Sequence, residues 1–231
     1  MKVSLLIPFL FLASSVAEKK EAQCFVKDTL ISNAASMIKD GEHLVKNGDI
    51  VMRNNNAITS SFIRNFNRLD KSYSHVGIVF IENGYPFVYH MIPGEENPEG
   101  AMKRDSLKNF CDGTTNSAYG IYRYDLNSRE LQRLKLQVLY WYTQQIKFDG
   151  QFSLSTDSVM YCSEMVKKAV ERATKNRIKI SLTKPGWIEA QVFAREAHIP
   201  IDAAKNLKLV ALDDLYLNAH CQVVKRFKFF Q

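Results

Sequence analysis

Apolar residues recur at helical spacing over 27–46 (KDTLISNAASMIKDGEHLVK), which predicts a first helix. Gly48-Asp49 ends it and introduces a short strand, Ile50-Val51-Met52. The polar stretch 53–72 predicts a short helix around Phe62 to Asn67. The clearest signal follows: an apolar run from His75 to Ile81, the turn dipeptide Asn83-Gly84, and a returning run from Pro86 to Ile92, which together spell a β-hairpin. Residues 93–117 are rich in Gly, Pro, Glu and Asn and read as a loop bordering a site. Tyr119 to Tyr124 is a further strand. An amphipathic helix spans Ser128 or Arg129 to Ile146, and a second long helix runs from about Met160 to Ala173. The tail predicts a short helix near 188–197 and a last strand over Gln222 to Phe229. Grouped antiparallel strands with flanking helices indicate an α+β fold.

The chain begins with Lys2, an apolar run from Val3 to Leu12 and the small-x-small triplet Ser15-Val16-Ala17. This pattern predicts a signal peptide over 1–17 and a periplasmic or secreted protein. The run is too short to span a bilayer and Pro8 interrupts it, so no integral membrane span is expected after signal removal. No repeat or linker divides the rest, which reads as a single domain over 24–231. The formal net charge of +7 favours solubility, or contact with anionic envelopes, cell-wall polymers or lipid head groups. No nucleic-acid-reading motif is present. No cofactor is expected.

Four cysteines occur, Cys24, Cys111, Cys162 and Cys221, and in an oxidising compartment a Cys24–Cys221 bond would tie the chain ends together. Cys162 has a different setting. It falls in the first turn of the 160–173 helix, on the apolar face with Met165, Val166, Ala169, Val170 and Ala173. Asp157 or Ser158 supplies the expected cap. A helix N-terminus favours a thiolate and offers free N–H groups to an oxyanion. A buried structural cysteine is the competing reading of this helix taken alone.

The hairpin supplies a base. With Asn83-Gly84 as a two-residue turn, Glu82 pairs with Tyr85, Val79 with Val88 and Gly77 with His90. His75 and His90 then project from one face as diagonal neighbours, with Gly77 leaving room between them. The same two imidazoles could instead join Cys162 in a metal site, but no His-x-x-x-His or Cys-x-x-Cys spacing accompanies them and no metal is expected. His43, His198 and His220 have no evident partners and read as ordinary residues.

Gly48-Asp49-Ile50-Val51, Tyr73-Ser74-His75-Val76-Gly77-Ile78, Phe148-Asp149, Tyr161-Cys162-Ser163-Glu164 and Asp213-Asp214-Leu215-Tyr216 together resemble the YiiX/YebB-like branch of the NlpC-type cysteine hydrolases. The resemblance implies a circularly permuted papain-like fold in which histidine precedes cysteine. It implies Cys162 as nucleophile, His75 as general base, and the histidine face set against Cys162. It also implies a polar third residue on the next strand, where many relatives carry Glu and this chain carries His90. Tyr161 and Ser163 flank the nucleophile and are candidates for the oxyanion site or pocket.

The reaction so implied is acyl transfer through a thioester on an amide, with a cell-wall peptide or another small amide as substrate. A lipid- or N-acyl-directed hydrolase or acyltransferase is the alternative, favoured by His90 and by the many aromatic residues. A noncatalytic binding module is a third reading, opposed by the presence of both Cys162 and His75.

Overall fold

The computed structural model describes residues 33–94 and 97–229. The expected signal peptide and Cys24, with its proposed bond to Cys221, lie outside the described residues. Cys111, Cys162 and Cys221 are not bonded to one another.

Helix α1 occupies 33–44 of the described chain. Strand β1 (Ile50–Asn55) and helix α2 (Ile58–Phe66) follow, then the hairpin β2 (His75–Glu82) and β3 (Tyr85–His90). Next come β4 (Lys103–Ser106), α3 (Leu107–Phe110), β5 (Asn116–Tyr124) and α4 (Ser128–Thr143). A two-residue pair, β6 (Lys147–Phe148) and β7 (Val159–Met160), leads into α5 (Cys162–Ala173). The chain ends through α6 (Trp187–Glu196), α7 (Ile201–Lys205), α8 (Leu212–Tyr216) and β8 (Cys221–Lys228). Six strands form one antiparallel sheet in the order β4-β3-β2-β1-β5-β8, so the α+β expectation holds.

The hairpin has the expected register: Glu82 opposite Tyr85, Val79 opposite Val88, Gly77 opposite His90. Asn83 and Gly84 both adopt positive φ, 51° and 85°, the backbone that a two-residue turn needs to match strand twist. Strand periodicity sorts the sheet residues into two cores. Ile50, Met52, Val76, Ile78 and Phe80 pack with Met165, Val166, Ala169 and Val170 of α5. Each of these side chains larger than Ala169 contributes roughly 1.5–3 kcal/mol of transfer free energy when fully buried. On the opposite face Val51, Val79 and Val88 pack with Leu107 and Phe110 of α3 and with Ala34 and Ile38 of α1.

Residues 93–117 depart from the loop expected there. They hold β4, α3 and the start of β5. Strand β4 is Lys-Arg-Asp-Ser at the sheet edge, with every residue half-buried. It carries no apolar alternation, and only its pairing with β3 makes it a strand.

Candidate active site

Cys162 opens α5, and Tyr161 before it is the N-cap in extended conformation. The expected caps are elsewhere: Asp157 pairs with Lys168 at 3.1 Å and also with Arg172. The helix start is held by Glu164, which accepts from the Tyr161 N–H at 3.2 Å while Lys168 Nζ lies 2.7 Å from its other oxygen. Burial pushes the Glu164 carboxyl up to about 7, against the opposing pull of Lys168 and that N–H.

Pairing between β2 and β3 runs from the turn to Gly77 opposite His90. Beyond that point the N–H of Val76 faces the Cys162 sulfur, as do the N–H groups of Ser163 and of Cys162 itself. The sulfur therefore meets β2 at the peptide that joins His75 to Val76. Cys162 is half-buried, and burial pushes its thiol up to about 11 although the three N–H groups and Arg53 oppose that shift.

His75 and His90 stand as strand parity requires. Their rings lie 5.1 Å apart between centroids, with His75 Nε2 and His90 Nδ1 at 2.9 Å. Both are buried, 8% and 0% exposed. Phe110 packs on both rings, at 5.6 and 5.0 Å. This corrects one expectation. The histidine face is the α3 face of the sheet, whereas α5 packs on the other and Cys162 packs with the core on that other face.

The outer nitrogen of His90, Nε2, bonds Asp105 Oδ2 at 3.0 Å. Asp105 lies on β4, where no strand was expected. His90 is opposite Lys103 and Val88 is opposite Asp105, so both charged residues share the histidine face. Lys103 Nζ stands 3.3 Å from the Asp105 carboxylate. Arg53, opposite His75 on β1, donates to Phe110 O at 3.0 Å and lies over the Phe110 ring. Burial holds His75 well below the usual 6.5, with Arg53, His90 and Lys103 adding to the shift. Burial lowers His90 as well, partly offset by Asp105. For Asp105 burial acts upward, but the bonds to His90 and Lys103 outweigh it and hold the carboxyl below 3.8.

Tyr161 and Ser163 both turn to Val210. The Tyr161 hydroxyl oxygen accepts from the Val210 N–H at 3.0 Å, and Ser163 Oγ donates to the Val210 C=O at 2.7 Å. Their side chains anchor the helix start to the chain before α8. Other motif residues are structural in the same way. Arg123 grips the Asp49 carboxylate with two bonds of 2.7 Å. Asp149 accepts from Gln151 and Ser153 N–H in the loop before α5, and Asp213 accepts from Arg68, Leu69 and Asp70 N–H. Beside Tyr161 stands a group of phenylalanines: Phe152 is 5.5 Å from the Tyr161 ring and 5.1 Å from Phe193, which in turn packs on Phe62 and Phe66. Among the described residues, no group of three or more His, Cys, Asp or Glu is arranged to hold a metal ion. No described helix is long and apolar enough to cross a membrane.

A helix-borne cysteine meeting a histidine-bearing antiparallel sheet, with histidine first in the chain, is the permuted papain-like arrangement. The chain belongs to the permuted papain-like amidase family YaeF/YiiX, C92, whose model matches residues 44–212. It is accordingly a cysteine-hydrolase-type enzyme of the amidase class. Its fold is also that of the crystal structure of metalloprotein YiiX from Escherichia coli O157:H7, with a TM-score of 0.65 at 19% identity over 80% of this chain and 99% of that one. The search of curated proteins found no match.

Proposed function

We propose that the protein is an exported cysteine hydrolase that cleaves an amide bond, in a cell-wall peptide or another small amide, through a Cys162 thioester. The observation that carries this reading is the Cys162 sulfur lying against the His75–Val76 peptide. His75 Nε2 is engaged by His90, which leaves Nδ1 as the ring nitrogen for the thiol proton. With the thiol raised and the imidazole lowered, both partners rest uncharged at neutral pH, so the proton moves as the sulfur attacks.

His75 Nδ1 takes the thiol proton and the sulfur bonds the carbonyl carbon. The oxyanion sits at the N–H groups that open α5. His75 then gives the proton to the leaving amine as the C–N bond breaks. Water attacks the thioester with His75 again as base, releasing the carboxylic acid and restoring the thiol. Tyr161 and Ser163 side chains take no part in these steps.

The test uses p-nitrophenyl acetate as an acylating probe. A burst of p-nitrophenolate with an acetyl group on the peptide carrying Cys162 is expected, lost in Cys162→Ala and strongly slowed in His75→Ala. Acylation elsewhere, or a burst untouched by His75→Ala, sinks the reading. Export predicts a mature chain beginning at Glu18 when the full gene is expressed. The phenylalanines beside Tyr161 favour a second reading, an N-acyl or ester lipid as substrate. A parallel screen of muropeptides and N-acyl lipids decides between the two.

A further inference from the structure

Three adjacent strands each deliver one polar side chain to the same corner of the same sheet face: His75 from β2, His90 from β3 and Asp105 from β4. Two hydrogen bonds, of 2.9 and 3.0 Å, join them in a line that ends at His75, whose neighbour Val76 turns its backbone N–H to the Cys162 sulfur. The order of atoms along that line decides which nitrogen of His75 carries a proton.

An ionised carboxylate can only accept, so His90 Nε2 must donate to Asp105. A neutral imidazole has one N–H, and His90 Nδ1 is therefore a lone pair. It accepts from His75 Nε2–H. His75, neutral in turn, has its lone pair on Nδ1. With both rings neutral, any other assignment leaves two lone pairs or two protons facing each other in a buried site, a cost of about 1–3 kcal/mol per unsatisfied group. The neighbours hold both rings neutral: Arg53 from β1 and Lys103 on β4 are cationic, while Phe110 and the buried Cys111 thiol close the α3 side.

We infer that Asp105 is the positioning residue that sets the direction of this chain, so that His75 presents the Nδ1 lone pair to the Cys162 thiol. The inference rests on the Cys162–His75 reading above and extends it one strand outward. Asp105 touches no reacting atom. It acts through His90, and its charge also opposes the cost of forming an imidazolium at His75 beside Arg53. His90 relays that charge.

The experiment is a long-range ¹H–¹⁵N correlation of the histidine rings on the full ¹⁵N-labelled protein at pH 7, paired with p-nitrophenyl acetate acylation of Asp105→Ala, Asp105→Glu and His75→Ala. The wild type should show both His75 and His90 as Nε2–H tautomers. Asp105→Ala should lose that pattern and slow acylation by about 10–100-fold, the usual cost of removing an outer partner, with Asp105→Glu recovering both. A His90 ring protonated on Nδ1 in the wild type overturns the inference. So does Asp105→Ala with unchanged tautomers or unchanged acylation. If His75→Ala acylates at the wild-type rate, the functional reading falls instead, and the ring spectra still decide on Asp105.

Discussion

His75 Nε2 and His90 Nδ1 are bonded at 2.9 Å across two strands, directly above Gly77. A glycine is required there because a Cβ would collide with Val88 Cγ1 and stand 2.9 Å from the Tyr89 carbonyl and 3.0 Å from His90 Cβ. A side chain at position 77 would press on the strand that carries His90.

Gly77→Ala should therefore act on the pair as well as on the core. Overpacking of this kind costs about 1–3 kcal/mol. Urea unfolding should report that loss, and acylation by p-nitrophenyl acetate should fall more than the lost stability explains. A variant with normal acylation and normal ring tautomers would show that the close approach is not needed.

Removing the base should cost more than removing its partner. His75→Ala is expected to slow acylation by about 10²–10⁴-fold, the usual worth of a positioned general base. His90→Ala leaves the base in place but loosely held, so its rate should lie between wild type and His75→Ala. The comparison is read from burst rates, with circular dichroism confirming that both variants fold.

The pH dependence follows from the lowered histidines. His75 works as the neutral base, and burial with Arg53 keeps it neutral well below pH 6.5. The acid limb of the acylation profile should therefore lie below 6.5, not at it. For stability the sign is also fixed. In the unfolded chain these histidines take up protons near pH 6.5, while the folded protein resists doing so. Acidification below that pH then favours unfolding until the folded rings themselves titrate. His75 and His90 share this direction, so the melting temperature should fall between pH 7 and pH 5. His75→Gln should flatten the slope.

Tyr161 and Ser163 should behave as anchors. Tyr161→Phe strands the Val210 N–H and should cost about 1–3 kcal/mol. Ser163→Ala removes the bond to the Val210 carbonyl and should cost about 1 kcal/mol or somewhat more. Both should acylate at Cys162 within a few-fold of wild type once folded. A large rate loss in either, without a matching loss of stability, would assign it to the oxyanion site after all.

Much of the fold was legible because it is local. The hairpin register follows from Asn83-Gly84 and period-two alternation, and that alone puts His75 and His90 on one face. The apolar stripe from Met165 to Ala173 likewise announces α5 and places Cys162 at its start. Long-range pairing decided the rest. Strand β4 has no hydrophobic signature, since an edge strand of four polar residues exists only by bonding to β3, so Asp105 was hidden in an apparent loop. Val210 lies 47 residues from Ser163, too far for spacing to reveal that the residues flanking the nucleophile are tethered there. The sequence by itself determined which face each histidine takes. Only the tertiary structure decided that α5 packs on the other face, that the sulfur lies against the His75–Val76 peptide, and that the carboxylate behind the pair comes from β4. A strand's parity is a local property, whereas which helix, edge strand or loop covers each face depends on burying the whole sheet at once.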